Sequence, residues 1–268
     1  MDLMTVLAII CLLIVAVAFS PLGLGGGILY VPIMHYMLDW EIKEALVASL
    51  TLVLMVSLGS SLAHSKSGFA DLKIANWGRM AAVPSAIIGT LLSGVLLSLV
   101  GDVGIKILAA LVITFVLERT IRKSVAHTVE YTEEQLLEKR NQYLAGASSA
   151  GIAAGILGIG GGAILVTLNR SMLKMDAKKA AGTSYLVTAT IVPVALLSHL
   201  VINQNLDVIV DHSGIFAMVL VPLMVFSSAF FGAKYAIKYL PKQVVTGVFL
   251  FVVSISLLRY IVDFLTVI

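Results

Sequence analysis

The sequence predicts an all-α integral membrane protein built from two inverted repeats. Three observations carry that prediction: apolar stretches that recur at membrane length, a glycine motif that occurs twice at one offset, and an uneven split of basic residues across the implied membrane. Hydrophobic residues make up 59% of the 268-residue chain and charged residues 12%, against about 25% charged in a typical soluble domain. Such a composition fits a polytopic membrane protein. The net charge of +3 gives no support to a nucleic-acid partner, because Lys and Arg stand between the apolar stretches. The lipid bilayer is the expected surrounding.

The first apolar segment, 3–20, follows Met1-Asp2. A secretory signal peptide would carry Lys or Arg ahead of its apolar core, so this segment reads as a retained membrane helix. It contains Cys11, the sole cysteine; an intrachain disulfide is excluded and redox chemistry is not expected. Four further segments follow in the first half, at 25–38, 44–63, 77–99 and 103–121. The second half has five at 143–157, 161–173, 180–201, 213–238 and 243–263. The last three of each half, at about 19–26 residues, reach across a hydrocarbon core of about 30 Å, whereas the second of each, at about 13–14 residues, is too short.

The halves align because Gly23-Leu-Gly25-Gly26-Gly27 is repeated as Gly158-Ile-Gly160-Gly161-Gly162, 135 positions later. Without gaps, residues 23–49 match 158–184 at 10 of 27 positions. His64 falls on His199 in the same register, and at slightly larger offsets Pro84 falls on Pro222 and Arg119 on Arg259. A duplication of nearly the whole chain follows: a first transmembrane repeat at 1–121, a polar cytoplasmic linker at 122–141 and a second repeat at 142–268. In the linker, Thr132 with Gln135 three residues on resembles a capped helix start, which predicts a short connecting helix.

Basic residues set orientation. If each glycine-flanked pair forms a hairpin, crossing or re-entrant, each half makes an odd number of crossings. Fifteen of the eighteen Lys and Arg residues then share one side, and only Lys43, Lys106 and Arg259 lie on the other. An even number would divide them equally. Odd crossings invert the second half, place the basic side in the cytoplasm and put both termini outside the cytoplasm, in a bacterial or archaeal cell membrane. Inverted repeats are the plan of many secondary transporters, whose site lies at the repeat interface near the midplane.

Irregular backbone at membrane depth survives where protein or a water-lined cavity satisfies it. Triple glycine breaks a helix, and the short helices that follow start near Gly27 and Gly162. Each start offers unbonded N–H groups and about half a positive charge, and glycine admits a ligand close to the backbone. The loops at Gly23, Gly25, Gly26 and Gly27 and at Gly158, Gly160, Gly161 and Gly162 are therefore the candidate anion site. Close helix packing is the competing use of the same glycines.

Gly23 to Pro32, and Gly155 to Thr167 followed by Ala181-Gly-Thr-Ser184, resemble the motifs of the sulfite exporter TauE/SafE family, and the resemblance covers nearly the full chain. It implies transport of sulfite, sulfonates or related small organic anions, exported by alternating access. The first half departs at Val47-Ala48-Ser49, where the second reads Gly182-Thr183-Ser184. Hydroxyls suited to the three oxygens of such an anion are Ser49, Thr51, Thr183 and Ser184, with Ser20 and Asn169 as weaker candidates. An anion channel, or a transporter of another small organic anion, is the alternative.

No cofactor and no metal are expected. Inversion should separate His64 from His199, which leaves them as gate residues or proton acceptors. Asp39, Glu41 and Glu44 cluster outside, no carboxylate falls deep in a span, and no metalloprotease signature occurs, so an enzyme is not expected. Without a buried carboxylate, an anion gradient and the membrane potential are the expected driving forces. Pro84 and Pro222 are expected to bend equivalent helices. Lys174, Lys178 and Lys179 form a cytoplasmic cluster that orients the chain. Self-association as a homo-oligomer is left open.

Overall fold

The computed structural model describes residues 3–123, 131–203 and 206–239, with scattered positions between 241 and 262. Among them the elements are helices: α1 (Leu3–Phe19), α2 (Gly27–Leu38), α3 (Ile42–Lys66), α4 (Leu72–Lys123), α5 (Glu133–Leu157), α6 (Gly162–Ser171), α7 (Ala177–Asn203) and α8 (Leu206–Tyr239). Of the expected segment 243–263 only scattered positions are described, and Lys242, Arg259, linker residues 124–130 and the side chains of Arg119, Asp207 and Asp211 lie outside the described residues.

Among the described residues, four stretches have the length and composition to cross a membrane: Ile42–Lys66, Leu72–Gly101, Ala177–Ile202 and Ala217–Tyr239. Helix α2 has 12 residues and α6 has 10, so at 1.5 Å per residue they reach only about 18 and 15 Å. Leu99, 77% exposed, and Val201, 75% exposed, typify an outer surface rich in large apolar side chains. Hydrocarbon tolerates such a surface and water does not. The protein is an integral membrane protein.

Local chemistry sets the ends of these helices. Asp71 caps α4, its Oδ1 accepting from the Ile74 amide at 3.1 Å. Helix α4 breaks at Gly101 (φ 64°, ψ −161°), the point that separates the expected segments 77–99 and 103–121. Helix α8 breaks likewise at Gly214 (φ 71°, ψ 147°). Pro84 and Pro222 sit inside these two helices, yet the non-helical dihedrals fall at the glycines. Thr132 and Gln135 form the expected capping box. The helix that starts there does not stop at the end of the linker but runs on unbroken through α5 to Leu157, because no Gly or Pro interrupts residues 133–145.

The packing scheme repeats along the chain. Helix α1 lies on α2 and α8, and α5 lies on α6 and α4; α3 packs on α2 and α8, and α7 on α6 and α4. Helices α3 and α7 meet each other at the centre. Glycines set the closest approaches. A methyl group on Gly151 would sit 2.1 Å from the Ala82 carbonyl oxygen, and one on Gly155 2.3 Å from that of Ala86. Removing the side chain lets α4 and α5 touch backbone to backbone, as small residues do between membrane helices.

Candidate anion site at the paired glycine loops

The loop before α2 holds Gly23, Gly25 and Gly26 at φ of 83°, 77° and 84°. The loop before α6 holds Gly158, Gly160 and Gly161 at 65°, 72° and 71°. These left-handed values cost an L-residue about 1–2 kcal/mol each and glycine nothing. Gly26 and Gly161 are the N-caps of α2 and α6, and neither helix has a side-chain cap. The helical bonding begins with the Leu29 and Tyr30 amides donating to the Gly26 carbonyl and the Leu165 amide donating to that of Gly161. The Gly27, Ile28, Gly162 and Ala163 amides precede those bonds, as the first N–H groups of any helix do.

The two loops press against each other. A methyl on Gly27 would lie 2.4 Å from Ile159 Cα, and one on Gly162 would lie 2.7 Å from the Gly23 carbonyl oxygen and 3.2 Å from Leu24. Gly23 abuts Ala181, and Gly158 abuts Leu46. Each contact has its counterpart 135 positions away. The same holds for hydrogen bonds. Ser49 Oγ donates to the Gly158 carbonyl at 3.0 Å, and Ser184 Oγ donates to the Gly23 carbonyl at 3.0 Å. His64 Nε2 donates to the Ser20 carbonyl at 3.3 Å, and His199 Nε2 to that of Gly155 at 2.7 Å.

The other expected site hydroxyls have mixed fates. Ser184 also lies 3.0 Å from the Gly162 carbonyl, so its one proton serves two acceptors. Thr51 bonds back to the Val47 carbonyl at 3.4 Å within its own helix, the usual local habit of threonine. Thr183 is buried and accepts from the Asp71 amide at 2.9 Å, tying α7 to the start of α4. Ser20 Oγ bonds the Val17 carbonyl, and Asn169 Nδ2 the Ala180 carbonyl. Lys178 Nζ donates to the Ile237 carbonyl at 2.7 Å, and Lys179 Nζ lies 3.6 Å from Asp71. Glu44 is buried in the first turn of α3.

Sequence reasoning missed four further buried hydroxyls, on α2, α3 and α7. Tyr30 is fully buried, and its Oη would lie 3.0 Å from a side-chain carbon at Gly26. Tyr185 Oη donates to the Phe19 carbonyl at 2.6 Å and faces the Gly23–Gly25 amides. Thr188 Cγ2 would lie 3.3 Å from such a carbon at Gly160, beside Val53 and Val192. Ser57 follows Val53 by one turn on the same face of α3. Helical spacing from the loop-facing positions was the available signal: 46, 49, 53, 57, 60 and 64 on α3, and 181, 184, 188, 192, 195 and 199 on α7.

A cavity of about 10 Å³ borders the start of α2, lined by Gly27, Ile28, Ile159 and Lys106 among others. That is room for about one water, so an oxyanion enters only if the loops part. No group of three or more His, Cys, Asp or Glu that could hold a metal occurs among the described residues.

Comparison with known proteins accords with this architecture. A probable membrane transporter protein of Methanocaldococcus jannaschii is 28% identical over 207 residues, covering 74% of this chain and 73% of its own. No solved structure matches. The family model for the sulfite exporter TauE/SafE matches residues 8–260, and the chain is therefore a membrane transporter that belongs to that family.

Proposed function

We propose that the protein is a secondary carrier for small sulfur-containing anions, sulfite or organosulfonates. It exports them by alternating access, with the anion held between the two glycine loops. One observation carries the reading: two uncapped helix starts, at Gly27 and Gly162, adjoin each other across the two halves at the buried centre. Such starts favour negative charge. The contacts paired at 135 residues support an inverted duplication, with the basic side in the cytoplasm and both termini outside it. The tightness of the loops favours a carrier over an open channel, because passage requires a conformational step.

Purified protein in liposomes preloaded with unlabelled sulfite tests this. Saturable uptake of labelled sulfite by counterflow is the expected result. Unitary currents without counterflow would assign a channel instead. Absence of flux for sulfite, methanesulfonate and taurine alike would overturn the substrate class.

A further inference from the structure

We infer that the anion's oxygens are held at the first of the two loops by the hydroxyls of Tyr30 and Ser60, and that the second loop adds no side-chain donor. The inference rests on the proposed reading of the glycine loops as the anion site. It goes further in telling apart two loops that pack alike but differ in the groups around them.

The N-caps show the difference. At Gly26 the atoms nearest an added methyl would be Tyr30 Cζ, Cε2 and Oη, at 2.8, 2.9 and 3.0 Å. At its counterpart Gly161 they would be the carbonyl oxygen and carbon of Ala150, at 2.5 and 3.1 Å, and Ala150 Cβ at 3.4 Å. One helix start therefore meets a hydroxyl, which can donate to an anion, and the other a carbonyl oxygen, which can only accept. The counterparts of Tyr30, Ser60 and Tyr185 are Leu165, Ala195 and Leu50, all buried. The glycines are duplicated and these hydroxyls are not. At the second loop Thr188 turns its methyl to Gly160, beside methyls of Val53 and Val192.

Tyr185 brings these hydroxyls to one place. Its Oη donates to the Phe19 carbonyl at 2.6 Å, faces the Gly25, Gly23 and Leu24 amides, and has the Ser60 hydroxyl beside it. Tyr30 is its electrostatic neighbour, and the His64 ring centre lies 5.9 Å from its own. Tyr30 Oη and Ser60 Oγ are buried without a hydrogen-bond partner among the described residues. An unpaired buried hydroxyl costs free energy that a bound acceptor returns. The end of α1 enters the same loop, and donors from α3 and α7 cover carbonyls there: Tyr185 Oη on Phe19, His64 Nε2 on Ser20 and Ser184 Oγ on Gly23. Those three acceptors are engaged, while the Tyr30 and Ser60 donors await one.

Calorimetric titration of the purified full chain with methanesulfonate tests this. Tyr30→Phe is expected to weaken binding by about tenfold, and Thr188→Val to change it by less than about twofold. Because Tyr30 Oη makes no hydrogen bond to the described residues, Tyr30→Phe should not lower the thermal midpoint measured without anion. A hydroxyl with a purely structural role would give the opposite pattern, lost stability with affinity retained. Ser60→Ala, expected to weaken binding likewise, is the second arm should Tyr30→Phe fail to fold. Full affinity in the folded variants of Tyr30 and Ser60, or a loss in Thr188→Val as large as in Tyr30→Phe, would overturn this inference and leave an anion between the loops. No binding to the wild-type chain would overturn the site and the inference together.

Discussion

At Gly27 and Gly162 a single methyl group is the whole question. Neither has a positive φ, so alanine meets no backbone penalty there, only the opposite loop at 2.4 and 2.7 Å. The neighbouring atoms belong to the backbone of the opposite loop, at Gly158–Ile159 and Gly23–Leu24, and cannot swing aside. Overpacking of a dense core costs about 1–3 kcal/mol. Gly27→Ala and Gly162→Ala should each lower the thermal midpoint in detergent by several degrees, and by similar amounts because they are counterparts. A change at one site without effect at the other would show that the two loops are not equivalent. The glycines themselves were legible, since a repeated Gly-x-Gly-Gly-Gly announces both backbone freedom and duplication. The hydroxyl partners were not. Ser49 and Ser184 reach across to the opposite loop, and spacing within one helix says nothing of a carbonyl more than 100 residues away. Tyr30 and Tyr185 read as core residues because a tyrosine in an apolar run reveals its ring and not the direction of its hydroxyl.

Among elements, the seam between α4 and α5 shows how helix packing rather than helix propensity sets a glycine's value. Gly89 and Gly94 lie on α4 five residues apart. A methyl on Gly89 would sit 2.3 Å from the Ile152 carbonyl oxygen, and one on Gly94 has nothing within 4 Å. Gly94→Ala should gain about 0.5–1 kcal/mol of helix stability, whereas Gly89→Ala should lose about 1–3 kcal/mol by forcing α5 away. Thermal unfolding of the two variants side by side checks this, and a loss in both would count against the seam. Element boundaries were legible where a breaker marked them: the starts of α2 and α6 at glycine, and the break at Gly101. They were not legible where the chemistry allowed continuation. Residues 133–145 look like a separate polar linker helix, but with no breaker before Gly146 the same hydrogen-bonded ladder carries them into the span. Pro84 and Pro222 lie inside α4 and α8, yet Gly101 and Gly214 carry the sharp dihedrals, because only glycine populates those angles freely.

For the whole molecule, duplication turns a local motif into a balance of charge. The starts of α2 and α6 and the ends of α1 and α5 meet at the two loops, so partial charges of both signs gather there. A carrier built this way, moving one monoanion per cycle without a coupled ion, moves one net charge per cycle. Its direction then follows the anion gradient and the membrane potential, and a negative interior favours export by about 2.3 kcal/mol per 100 mV. The stoichiometry is directly readable. In proteoliposomes with a fixed methanesulfonate gradient and a potassium diffusion potential set by valinomycin, net flux should vanish at a potential that shifts by about 59 mV for each tenfold change in gradient. A shift of about 30 mV would mean two charges per cycle and would contradict uncoupled transport of a monoanion. A null potential that moves with an imposed pH gradient instead would bring a proton into the cycle, with buried His64 the first group to replace. The value near 59 mV, unmoved by a pH gradient, is the outcome that uncoupled transport of a monoanion requires.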